Sequence, residues 1–226
     1  MSEKDSHRQY THAVVMGDLV GSEKVSSPTR LHSLFNAGIE SSNQTYRDLI
    51  VSPLTITLGD EFQGLCTSLQ AGLGIVRFVR ERLLSNGVDC RFALGVVKLE
   101  TKLNPDHAWN MMGLGLSTTR ERLSDKRNVN LYRFYLPDED VVQRLVEAVA
   151  LSISVTEAAW TDRQREIVLA SIPAEQGNTG LAQQLGISVR TLYKIQNAAR
   201  LEFYKAQWSV IESTMAHLDR GYGLDG

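Results

Sequence analysis

The sequence predicts an α+β domain of βαββαβ order followed by an all-α region. Three observations carry this. Over the first 137 residues, apolar β-branched runs alternate with segments whose apolar residues recur every three to four positions. A Gly-Asp turn, Gly59-Asp60, joins two of the runs as a hairpin between two crossovers. Past Pro137-Asp138-Glu139-Asp140 the strand pattern stops and only helical periodicity continues. A hairpin between two crossovers is the split βαβ arrangement, an antiparallel sheet with helices on one face and the first strand beside the hairpin. The expected division is residues 1–137 and 138–226, with a helix-turn-helix at about 161–200.

His12 to Val20 is an almost unbroken apolar run, as a central strand covered on both faces requires, interrupted only by Asp18. Pro28 opens a helix carrying Leu31, Leu34, Phe35, Gly38 and Ile39 on one face, with Ser26 or Ser27 as its cap. Thr55 to Leu58 and Phe62 to Cys66 are the hairpin strands. Ser68 to Leu84 is a second helix, stopped by Asn86-Gly87. Cys90 to Val97 reads as a strand, His107 to Leu123 as a third helix, and Val129 to Tyr135 as a strand ended by Pro137.

With 226 residues, 42% of them hydrophobic, the chain buries a real core as one large domain or two small ones. A net charge of −2 excludes bulk electrostatic attraction to nucleic acid or anionic lipid, so such a partner needs a local basic face. Met1 to Gln9 mixes both signs of charge, and no apolar run nears the roughly 18 residues of a membrane span. A cytoplasmic address without a membrane partner is expected. Cys66 and Cys90 lie inside strands and read as small buried hydrophobes of a reducing compartment.

Two apolar strands run into Gly-Asp, at Gly17-Asp18 and Gly59-Asp60. One such acid is as well explained as a solvated turn residue. Two on neighbouring strands make a cation site. Their hard oxygens suit Mg²⁺ or Mn²⁺, with water and the phosphates of a nucleoside triphosphate completing the octahedron.

Gly17 to Ser22, Thr57 to Leu65, Arg91 to Gly95 and Gly115 to Leu123 together resemble the SatD family over most of the chain. In outline the same blocks are similar to class III nucleotidyl cyclases, where one aspartate after the first strand and one in a Gly-Asp hairpin hold two metals. The resemblance implies that Asp18 and Asp60 hold the metals and that the backbone of Leu19, Val20, Gly21 and Ser22 cradles phosphate. It also implies that Arg122 stands near the transition-state arginine; a second register gives that place to Arg120, which otherwise reaches phosphate. The chain departs from the cyclases at Ile56, where they keep a purine-reading lysine, and at Thr118, where their transition-state asparagine falls. Binding a nucleotide is therefore better supported than cyclising one.

Beyond the break, Val141 to Val155 is a helix rich in Val, Leu and Ala, and Thr161 caps another. Asn178 to Lys194 reads as helix, glycine turn, helix: Ala182 allows close approach, Gly186 turns, and Val189 and Leu192 face inward. The stretch is similar to the helix-turn-helix of the sigma region-four and LuxR type. Ser188, Arg190, Thr191 and Lys194 face outward, with Arg200 and Lys205 beyond them, and together form the candidate DNA-reading surface. The helix from Arg200 to His217 carries Leu201, Tyr204, Trp208, Ile211, Met215 and Leu218, either to pair two chains as a homodimer or to fill the core. The expected function is a transcriptional regulator that binds a nucleoside triphosphate and DNA. The alternatives are a two-metal nucleotidyl cyclase or nucleotidyltransferase, and a catalytically dead interaction module.

Overall fold

The computed structural model describes residues 11–21, 27–173 and 177–224. Its described strands form one open mixed sheet. β1 (His12–Leu19) is central, flanked by β3 (Glu61–Cys66) and β4 (Cys90–Leu99), and β2 (Ile50–Leu58) closes the edge beyond β3. On the other side of β4 lie β5 (Gly113–Leu114) and β6 (Tyr132–Tyr135), both paired to it. All pairings are antiparallel except β4 with β6, which is parallel. The hairpin thus sits beside the first strand, as the split βαβ order requires.

Alternation along β1 sends Ala13, Val15 and Leu19 to one face and Val14 and Met16 to the other. The first face is covered by α1 (Pro28–Thr45) and α2 (Leu69–Ser85), capped by Ser27 and Ser68, whose hydroxyls accept from Arg30 N and Ala71 N. Ser26 lies outside the described residues. The second face is not bare. It is covered by α3 (Leu116–Ser124), whose Leu116 and Leu123 join Val14, Met16 and Ala93. The predicted helix over 107–123 therefore starts late. Gly113 and Gly115 press against β4, where a Cβ on either would lie 2.2 Å from a carbonyl oxygen, of Lys98 and Val96 respectively, and Gly115 takes φ 94°.

The C-terminal helices build on the same core. α4 (Asp140–Ala158) lies along β6, and α8 (Leu201–Tyr222) lies across α2 and α4. Ile153, Trp160, Tyr204, Trp208 and Met215 are buried in one cluster with the first-face residues of the sheet. Asp219 of α8 caps α2, its two oxygens accepting from Leu69 N at 2.7 Å and Gln70 N at 3.0 Å. No packing break marks residue 137. The apolar row from Leu201 to Leu218 is fully used in this contact, so it does not pair two chains. Only α5 (Asp162–Ser171), α6 (Gly177–Gln184) and α7 (Val189–Ala198) keep a separate small core, of Ile167, Leu181, Ala182 and Leu192. Gly186 turns at φ 64° between α6 and α7. Both cysteines are free and buried, and burial raises their thiol pKa well above the usual range. No described helix is long and apolar enough to cross a membrane.

Candidate functional site

The ends of β1, β3 and β4 meet in a row of charge. Register sets Asp18 opposite Glu61 on one side and Arg91 on the other. By alternation with Met16, Asp18 points to the α3 face. Arg91 Nη1 donates to Asp18 Oδ2 at 3.1 Å. Asp60 follows through the hairpin turn: Gly59 has φ 30°, and Leu19 N donates to Asp60 O at 3.0 Å, which lays the turn alongside the end of β1. Two carboxylates are thereby placed together at one sheet end.

Asp18 is 2% exposed, and its carboxylate accepts from the Arg91 guanidinium. Its pKa is raised. Burial is the main cause; Lys126 nearby opposes it, Asp60 adds to it, and Arg91 opposes it. A buried acid that holds its charge poorly beside a second acid is suited to a divalent cation. Among the described residues no three His, Cys, Asp or Glu side chains gather to hold a metal. The set therefore fits a cation only if the ligand's own oxygens share it, as phosphates do.

On the α1 side, a cleft of about 490 Å³ is lined by Leu19, Pro28, Thr29, Leu31, His32, Gly59 and Asp60. Pro28 begins α1, whose first turn carries no acid, so the positive helix end opens here without internal compensation. Of the expected phosphate cradle, Leu19 N is taken by Asp60 O, and Val20 N by Asp89 O at 2.8 Å. Those two N–H groups are not available to a ligand. Gly21 remains, in a left-handed conformation at φ 69°, and Ser22 lies outside the described residues.

The two candidate arginines of α3 part company. Arg120 Nη2 donates to Gln63 Oε1 at 2.8 Å and Nη1 lies 3.8 Å from Glu61, so it stands beside the hairpin. Arg122 is held away by Glu147 of α4 at 3.3 Å. The structure brings Arg120, not Arg122, to Glu61 of the hairpin. Ile56 is half-buried against the first-face core rather than turned to a ligand.

In the helical region, Ser188 caps α7, accepting from Thr191 N at 3.1 Å, and its hydroxyl also meets that of Thr191 at 2.8 Å. Arg190, Thr191 and Lys194 are exposed, with Tyr193 beside them half-exposed. Arg200 does not continue α7. It takes φ 57° at the break before α8, and Lys205, on α8, lies 3.6 Å from Glu202. The four cations consequently do not share one helix.

Sequence reasoning missed Arg91 and Lys126 as groups facing Asp18. Arg91 opens the strand that antiparallel pairing sets against β1, and a worked cross-strand register would have found it; Lys126 sits in the connection after α3, where no pattern points.

A family model described as the SatD family matches residues 12–212. Among solved structures, the chain is similar to the guanylate cyclase domain of RhGC from Catenaria anguillulae in complex with GTP, at 15% identity and TM-score 0.39, covering 52% of this chain and 74% of that one. It is similar to a bacterial light-regulated adenylyl cyclase at 13% identity and TM-score 0.43, covering 55% and 75%. The guanylyl cyclase domain of the RhoGC fusion protein from Blastocladiella emersonii, as an E497/C566D double mutant, gives 17% identity and TM-score 0.40, covering 51% and 75%. Likeness of that grade carries no residue assignment. No curated protein matches.

Proposed function

The chain belongs to the SatD family, and we propose that it binds a nucleoside triphosphate with divalent cations, in the manner of a nucleotidyl cyclase, at the sheet end that carries Asp18 and Asp60. One observation carries the reading: the Leu19-to-Asp60 backbone bond that lays the hairpin turn beside the end of β1, with a cleft opening onto the start of α1. Asp18 and Asp60 hold Mg²⁺ or Mn²⁺ shared with phosphate oxygens. When bound, the cations neutralise phosphate charge and lower the pKa of a ribose hydroxyl. The α1 N-terminus and Gly21 receive phosphate, and Arg91, Lys126 and Arg120 supply positive charge around it.

Turnover is slow in this reading. Ile56 faces the core where a base-reading group would be needed, and Arg122 is committed to Glu147. Loss of one transition-state donor costs about 10²–10³ in rate. Chromatography of ATP and GTP incubated with the protein and Mg²⁺ or Mn²⁺ tests this. Brisk pyrophosphate release abolished by Asp18→Ala overturns the slow-turnover reading and promotes the enzyme.

A second reading concerns α7, favoured by the exposed Arg190 and Lys194, which form no ion pair among the described residues. On it, α7 enters a DNA groove and the nucleotide site regulates that contact. Arg190→Ala then costs about 1–3 kcal/mol where it contacts a base, and Lys194→Ala weakens all sequences and lowers the salt slope by about one. Equal binding of both variants and wild type to selected genomic fragments at physiological salt ends this reading and leaves the nucleotide site untouched.

A further inference from the structure

α4 is apolar on two opposite sides. Val146, Ala150, Ile153 and the paired Glu157 face the interior. On the outside, Val141, Leu145, Ala148, Ser152, Val155 and Ala159 follow one another at steps of four, three, four, three and four. Val141, Leu145 and Val155 are 62%, 63% and 59% exposed, values that make this row a surface, not part of the core. A solvent-facing helix ordinarily carries charge on its outer side, and one that is apolar all round is a buried helix. The 3-4 alternation is the spacing by which one helix packs along another at a shallow angle.

We propose that this row is the contact through which two copies of the chain pair, α4 against α4, antiparallel about a two-fold axis that crosses the outer face level with residue 150, between Ala148 and Ser152. The row is its own complement. Rotation about position 150 exchanges Val141 with Ala159, Leu145 with Val155, and Ala148 with Ser152, so each larger side chain meets a smaller or β-branched one. Ala148 and Ser152 at the centre let the helices approach closely. Charge permits it as well: no residue of the row is ionic, and Arg144, which flanks it, is carried by the two-fold to Thr156 and not to another cation. Antiparallel helices also set opposite dipole ends together. A single pair of helices buries less than the roughly 1,200–2,000 Å² of a stable complex, so the dimer is weak and reversible. It differs from the α8 pairing expected from sequence, because α8 spends its apolar side inside the chain.

The test is sedimentation of the full-length protein over a range of micromolar concentrations, without nucleotide or DNA. Wild type is expected to pass from monomer to dimer as concentration rises. Leu145→Glu, at an exposed position, should raise the dissociation constant by about tenfold or more while leaving the melting temperature unchanged. Direction is read by oxidation: Leu145→Cys combined with Val155→Cys should cross-link into a covalent dimer, and neither single variant should, the two native cysteines being buried. A wild type that stays monomeric throughout overturns the proposal. So does a dimer that survives Leu145→Glu, or cross-linking by a single variant, which would mean a parallel pair.

Discussion

Asp18 and Glu157 are buried to the same degree, and the fold treats these two carboxylates in opposite ways. Glu157 of α4, 2% exposed, accepts from Arg80 Nε at 2.9 Å and Nη2 at 2.8 Å, from Tyr132 OH at 2.8 Å and from Tyr204 OH at 2.8 Å. Burial works to discharge Arg80, and Glu157 more than reverses it, so the guanidinium pKa ends raised. Four donors from α2, β6 and α8 converge on one acid. Asp18, equally buried, accepts from Arg91 and has a second acid for a neighbour, and its pKa is raised. The difference separates structure from site. A buried ion with donors on every side fixes elements in place, whereas one with fewer donors and a second acid beside it sits where a bound cation is to balance it.

The largest expected effect is at Glu157. Glu157→Gln leaves buried Arg80 with only the half-exposed Asp89 as counter-charge and should cost about 3–5 kcal/mol, or roughly 6–20 °C in melting temperature for a chain of this size. Urea unfolding measures it, and a loss within 1 kcal/mol would show that the network is not what ties α4 to α2. Arg91→Ala comes next. It removes the donor to Asp18, but Asp18 can relieve itself by taking up a proton, so the expected cost is about 1 kcal/mol by the same urea titration. A loss as large as that of Glu157→Gln would erase the contrast.

The smallest effect has the opposite sign. Burial holds the folded-state pKa of Asp18 above the ordinary aspartate value, so the native state holds the proton more tightly than the unfolded chain. Its contribution is therefore favourable below the unfolded pKa and is lost as pH rises through the folded one. In chelator, wild type should lose some stability across that interval just above the ordinary carboxylate range. Asp18→Asn should lose less there and melt slightly higher at neutral pH. A variant that melts lower would mean that Asp18 is a structural acid like Glu157.

The sheet order was legible because alternation and the Gly59-Asp60 turn are local signals, and they place Asp18 near the turn without any knowledge of side-chain contacts. Arg91 was not. Its pairing with Asp18 joins residues 73 apart and depends on a cross-strand register that no local pattern displays. The same limit hid the use of α8: Leu201 to Leu218 repeat at helical spacing, which fits a dimer and a core contact equally, and only the position of α2 decides. The late start of α3 was missed because Gly113 and Gly115 act through the carbonyls of Lys98 and Val96, distant in sequence. The expected cradle of Leu19 and Val20 failed for a related reason, their N–H groups being claimed by Asp60 and Asp89.

The central claim, that the paired acids Asp18 and Asp60 await a cation-bound ligand, is tested most directly by thermal shift with ATP or GTP, with and without Mg²⁺. At ligand a hundredfold above the dissociation constant, wild type should gain about 3 kcal/mol, or roughly 5–10 °C, only when Mg²⁺ is present, and Asp18→Ala and Asp60→Ala should show no gain. Equal shifts in wild type and both variants, or no shift in any of them, would contradict it.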